Sequence, residues 1–326
     1  MALPPDKSAS SISSEKVPLD TSQLSTLVAM DSPEAVHNEV LHILHLINTG
    51  FDTASVTSVF SFTVDLYAGK LQEYKACNTH YHNLHHITDT YLAMARLLHG
   101  ARLSGEEFSD REIFLGLTGA LMHDSGMIQK SSDREGTGAK YTQEHVKLSM
   151  DFITNHAAAL HLQDQEIADL RDLILGTDLM VDFASINFSS TKIELLGKIL
   201  GTADLIAQMA DRTYLEKLLF LYHEFREAEV GDYKNEVDFL RQTLNFFEIS
   251  TKRFNETLDA TYRHMVPHFK SRWNIDENLY MHSLENQRKF LEKILANKNI
   301  SLYQELKRNN IVQKVRQKYG DTGLGE

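Results

Sequence analysis

The chain has 326 residues, 42% of them hydrophobic and 24% charged, the balance of a globular protein with ample material for a buried core. Lys and Arg total 33 against 45 Asp and Glu, a formal net charge of -12, which argues against the basic surface that non-specific nucleic-acid binding relies on. A small anionic substrate stays open, because a bound cation can reverse the field in one cleft. The single cysteine, Cys77, excludes an internal disulfide framework and a Cys-rich zinc module.

Residues 1–24 lack the apolar stretch of a signal peptide and read as a flexible Pro/Ser/Lys tail. No run of about 18 apolar residues follows, so the expectation is a cytoplasmic chain without a membrane span. From there the apolar period is helical nearly throughout. Ser32-Pro33-Glu34 opens a helix that ends at Gly50, with the capping Ser, first-turn Pro and terminal Gly in the order helix ends favour. A second segment runs from about Thr53 to Tyr67, and a third starts near Tyr81 and continues to Gly100. Ser109 and Glu112 form a capping box before IFLGLTGALM. Thr142, Asp164 and Thr191 read as further N-caps, with Glu194 completing a second box. Beyond Asp211, three long amphipathic patterns follow. The weakly alternating stretch at 181–188 is isolated and reads as a loop. No repeat of fixed period stands out. The expectation is one compact all-α, multi-helix domain over 25–310, followed by a partly frayed tail, 311–326. The apolar C-terminal helices suit homodimer contacts, and core packing explains them equally well.

Three polar features interrupt this apolar pattern. The first is the run of His80, His82, His85 and His86. If a helix begins there, His82 and His86 share a face, and Asp89 joins it one turn on, placed to orient an imidazole. The second is His123-Asp124, which ends an apolar helix just before Ser125-Gly126. Asp is disfavoured at the negative end of a helix dipole, and a nitrogen and an anionic oxygen side by side suit Zn²⁺, Mn²⁺, Fe²⁺ or, with added water, Mg²⁺. The third is Asp204, a carboxylate within the apolar KILGTADLIAQMA. Buried, it would need a partner, and a cation shared with Asp124 would supply one.

His, then His-Asp, then Asp, on successive helices, resembles the ligand order of the HD superfamily of metal-dependent phosphohydrolases. Tyr81-His82-Asn83-Leu84-His85-His86-Ile87-Thr88-Asp89 resembles the signature of one branch, the class I cyclic-nucleotide phosphodiesterases. Tyr141-Thr142-Gln143-Glu144, Gly176-Thr177-Asp178-Leu179 and Thr202-Ala203-Asp204-Leu205 resemble later elements of that branch in the same order. The resemblance implies two divalent ions (Zn, Mg, Mn or Fe) held by His86, His123, Asp124 and Asp204, with Asp124 bridging. It implies His82 as general acid, Glu144 in the water network, and Asp89 as a supporting group. His145 is a candidate for a second metal or a phosphate, because other HD enzymes place a histidine in this region. The implied activity is hydrolysis of a 3′,5′-cyclic nucleotide to its 5′-monophosphate. Alternatives are another HD phosphohydrolase of nucleotidase or dNTPase type, or an idle metal- or nucleotide-binding sensor. The chain departs from the family after His123-Asp124, where Ser125-Gly126-Met127-Ile128-Gln129 lacks the usual supporting His and Pro-Gly. For the base-binding region, Phe254 as an aromatic wall and Asn255 as an amide are the nearest counterparts.

Overall fold

The computed structural model describes residues 23–297 and 302–320. The helices in chain order are α1 (Leu24–Leu27), α2 (Pro33–Ile47), α3 (Ala54–Tyr67), α4 (Leu84–Leu103), α5 (Asp110–Met122), α6 (His145–Asn155) and α7 (Asp164–Leu175). They continue with α8 (Thr191–Ala210), α9 (Tyr214–Glu227), α10 (Glu236–Lys252), α11 (Met265–Trp273), α12 (Leu279–Ala296), α13 (Leu302–Glu305) and α14 (Ile311–Tyr319). Among the described residues there is no strand, only one isolated bridge between Tyr74 and Lys130. The all-α expectation holds, and 181–188 is a loop around a short 3₁₀ turn at Phe183–Ser185. No described helix is long and apolar enough to cross a membrane.

Two 20-residue helices, α4 and α8, pack against each other at the centre. Around them, α2, α5 and α11 cover α4, while α5, α7 and α12 cover α8. Every residue of α4 from His86 to Ala101 is buried, so this helix is apolar on all sides except where its polar residues find partners. Gly100 lies inside it rather than ending it. A Cβ there would sit 1.7 Å from the carbonyl oxygen of His264, so only glycine lets the segment before α11 approach this closely.

Several helix starts differ from the sequence expectation by one to three residues, because another side chain caps or the expected cap is used elsewhere. Asn83, not Tyr81, precedes α4, and its side chain accepts from the backbone N–H groups of His85 and His86. Ser190 caps α8 by accepting from Ile193, so Thr191 is the first helical residue and Glu194 pairs with Lys198 instead of closing a box. Gln163 forms the box with Glu166 ahead of α7, with Asp164 just inside. Thr142 ends a 3₁₀ turn, donates to the Ala139 carbonyl, and leaves α6 to begin at His145.

Of the expected N-terminal tail, residues 1–22 lie outside the described residues, and Leu24 opens α1 with its side chain buried. The expected C-terminal tail is corrected over Ile311–Tyr319. That stretch is α14, which seats Ile311, Val312 and Val315 in the core against α9, because apolar residues at this spacing form one helical face. Residues 321–326 lie outside the described residues.

Candidate metal centre

Local structure explains how His86, His123, Asp124 and Asp204 meet. Asn83 stops α4 from extending backward, which leaves His82 in the preceding turn and His86 in the first turn. At the far end of α5, His123 is the C-cap residue, and the chain turns through Asp124 into a 3₁₀ turn, Ser125–Met127. Gly126 allows this turn to press on α6. A Cβ there would lie 2.1 Å from the His145 carbonyl oxygen, and its N–H donates to Ser149 Oγ at 2.8 Å. The contact brings His145 to Asp124. Asp204 projects from the middle of α8, where Gln208 one turn on donates to its Oδ1 at 3.2 Å.

His86 Nε2 lies 3.2 Å from His123 Nε2, 3.4 Å from Asp124 Oδ2 and 3.2 Å from Asp204 Oδ1. His123 Nε2 lies 3.4 Å from Asp124 Oδ2 and 3.5 Å from Asp204 Oδ1. The orientation of His123 follows from its other nitrogen, which donates to the Ala120 carbonyl at 3.0 Å and turns Nε2 toward the two carboxylates. Burial lowers the pKa of the ring, and the charge of those carboxylates more than offsets this and raises it. His145 is oriented the same way. Its Nδ1 donates to the Thr142 carbonyl at 2.7 Å, which turns Nε2 toward Asp124 Oδ1 at 3.4 Å.

These atoms include more acceptors than donors. One N–H on His86 cannot serve His123, Asp124 and Asp204 together, whereas a divalent ion among them can. The separations among His86, His123 and Asp124, 3.2–3.4 Å, are those of neighbouring ligands around one ion with bonds of about 2.0–2.2 Å. His86 Nδ1 and Asp124 Oδ2 are buried without a hydrogen-bond partner, a costly state that coordination of Asp124 would relieve. The approach of His145 Nε2 to Asp124 Oδ1 marks a neighbouring position, with the two Asp124 oxygens facing opposite sides. His86, His123 and Asp124 form a buried group able to hold a metal ion, and His85, Asp89 and Asp211 form another.

The electrostatics agree with a cation-seeking centre. Burial disfavours the charged forms of Asp124 and Asp204, but the surrounding imidazoles outweigh it and hold both carboxyls below the usual carboxylate range. Burial likewise opposes the charged form of His86, and the two carboxylates push its pKa up to about 10. Without an ion, His86 therefore carries a proton that metal binding would displace.

His82 sits beside this cluster, its ring centroid 6.3 Å from that of His86 and 6.1 Å from that of His145. The helical i,i+4 argument does not place it there, since His82 precedes the helix. Its Nδ1 donates to Glu224 Oε2 at 2.8 Å. Glu224 Oε1 accepts from the backbone N–H groups of His80 and Tyr81 at 2.7 Å each, which pins the whole turn. Burial lowers the pKa of His82, and the hydrogen bond and charge of Glu224 more than offset this, raising it above the ordinary value.

The remaining expected residues are placed differently. Asp89 pairs with His85 Nδ1 at 3.0 Å, not with His86, because the late helix start turns His85 toward it. Glu144 is the exposed N-cap residue of α6, and its carboxylate joins none of the cluster's contacts. Phe254 is 1% exposed and packs in the core beside Tyr262, so it forms no open wall for a base. Asn255 is exposed, donating to the Thr251 carbonyl and accepting from Tyr262 Oη. Glu224 is the residue that sequence reasoning missed. Its signal was a carboxylate on the buried side of an amphipathic helix, where it is 3% exposed.

Comparison with protein-family models, curated proteins and solved structures gives no significant match for this chain.

Proposed function

We propose that the chain is a metal-dependent phosphohydrolase that cleaves a phosphodiester, and that its substrate is a 3′,5′-cyclic nucleotide released as the 5′-monophosphate. The observation that carries this reading is the buried cluster of His86, His123, Asp124 and Asp204, whose imidazole nitrogens lie 3.2–3.5 Å from the two carboxylates. The ordered resemblance of residues 81–205 to the class I phosphodiesterases supports the substrate class. His86, His123, Asp124 and Asp204 would hold one divalent ion, and Asp124 with His145 would hold a second. Such ions, when bound, lower the pKa of water and neutralise phosphate oxygens as negative charge builds.

The chain's own part is proton delivery and positioning. His82, with Nδ1–H given to Glu224, presents Nε2 as the second N–H of an imidazolium. A water oxygen forms the new bond to phosphorus as the P–O3′ bond breaks, and the departing alkoxide needs a proton in that step. His82 supplies it, and the Glu224 carboxylate stabilises the charged ring beforehand. Asp124, shared between both positions, holds the centre together.

The test is a substrate panel of cyclic nucleotides, nucleoside monophosphates, dNTPs and dinucleotides after metal analysis. Metal-dependent release of a 5′-monophosphate from a cyclic nucleotide supports the reading. Hydrolysis of monophosphates alone would move the chain to the nucleotidase type. Bound metal with no turnover would make it a sensor.

A further inference from the structure

A second polar cluster lies outside the centre just described. His85 on α4, Asp89 one turn on, and Asp211 at the end of α8 bring their ligand atoms within 4.8 Å of one another. They line a solvent-open groove of about 1250 Å³ that runs between α1, the start of α4, α12 and α14. Lys217 on α9 reaches into the cluster, paired with Asp211 Oδ2.

The contacts around His85 are mutually incompatible. Its Nδ1 lies 3.0 Å from Asp89 Oδ2, which only accepts, and 3.3 Å from Lys217 Nζ, which only donates. One ring nitrogen cannot both donate to the carboxylate and accept from the ammonium. Its other nitrogen is committed, with Nε2 3.3 Å from Asp31 Oδ1. The second oxygen of Asp89, Oδ1, is buried without any partner, although the residue is only 4% exposed. A buried, half-satisfied carboxylate beside an imidazole nitrogen and a second carboxylate offers the donor atoms of a divalent-cation site.

We propose that His85 Nδ1, Asp89 and Asp211 form a second divalent-cation site, independent of the central cluster, in which the Lys217 ammonium is a tethered competitor. A divalent ion in place of the ammonium resolves the conflict. Nδ1 becomes a ligand, Nε2–H donates to Asp31, and both carboxylates face positive charge. One nitrogen and two carboxylates suit Zn²⁺, Mn²⁺ or Co²⁺ over Ca²⁺. Three protein ligands beside an open groove leave positions for water or an anionic ligand.

The test uses the full chain stripped with chelator and titrated with Co²⁺ or Zn²⁺, in an Asp124→Ala background that disables the central cluster. Metal content and calorimetry should show about one ion per chain remaining, and Asp211→Asn or His85→Gln should abolish it. Lys217→Met should tighten binding about tenfold, because it removes the competing cation and one positive charge. Misfolding cannot produce such a gain. Unchanged metal content in Asp211→Asn and His85→Gln would overturn the proposal, as would unchanged or weaker binding in Lys217→Met. Because the background already lacks Asp124, either result leaves the central reading untouched.

Discussion

Glu224 holds His82 by its Nδ1, as the Ala120 carbonyl holds His123 and the Thr142 carbonyl holds His145. In the proposed mechanism the difference in partner separates a proton donor from metal ligands. A carbonyl fixes which nitrogen faces the cluster and leaves Nε2 pointing at the carboxylates, whereas a carboxylate partner such as Glu224 also favours the imidazolium. His82→Asn should therefore lower turnover about 100-fold while metal content stays at the wild-type level. Loss of metal would make His82 a ligand instead. Glu224→Gln should keep the metal and lower the pKa of His82. Activity that needs the protonated ring is lost as pH rises through that pKa, so the alkaline limb of the pH–rate profile should move to lower pH. An unmoved limb would separate Glu224 from proton delivery.

At the scale of elements, the helix ladder was legible because each apolar face repeats at the helical period, but the exact starts were not. Thr142, Asp164 and Thr191 are all cap-forming types, and the neighbouring Glu144, Gln163 and Ser190 take the N-cap positions. Which candidate caps a helix depends on where the incoming chain lies, and that is set by packing. Gly100 illustrates a tertiary demand that reads locally as a helix end. Gly100→Ala should destabilise the fold by about 3 kcal/mol in a urea melt, since the added methyl meets backbone that cannot yield.

The junction of α4 and α11 also carries a pH dependence. His99 and His268 share a hydrogen bond between their Nδ1 atoms at 2.9 Å. Burial, with help from the nearby His42 and Arg272, pushes the pKa of His99 down to about 4. Burial, then Arg96, His99 and Arg272, holds His268 below its ordinary value. Both pKa values are depressed on folding, so this contribution is complete above about pH 6.5 and is lost as pH falls from there toward about pH 4. Urea melts across that window should show a steeper loss of stability in the wild-type protein than in a His99→Gln/His268→Gln variant. Parallel curves would exclude the pair as a source of acid sensitivity.

For the whole molecule, the core of the site was legible in the sequence for a physical reason. His86, His123, Asp124 and Asp204 each interrupt an apolar run, and a buried polar group must have a partner. Phe254 and Asn255 failed because a short aromatic-amide pair carries no such constraint, and the helix seats Phe254 inward for packing alone. Glu224 escaped notice because an acid on an amphipathic helix ordinarily reads as solvated. The boundary at 310 fell short because α14 is brief, yet Tyr319 stacks on His223 at 3.8 Å, across the element that carries Glu224. Deleting residues 311–326 should lower Tm by about 4 °C or more, given the apolar side chains it would uncover.

The net charge of -12 now has a local meaning, since Asp124 and Asp204 contribute to it at a point where the geometry favours a cation. The most direct measurement is metal content and cyclic-nucleotide hydrolysis on the same samples of wild-type protein and Asp124→Ala. The account expects bound divalent metal and 5′-monophosphate product in the wild type, with both lost together in the variant. Wild-type protein that binds no divalent metal, or a variant that hydrolyses at the wild-type rate, would contradict it.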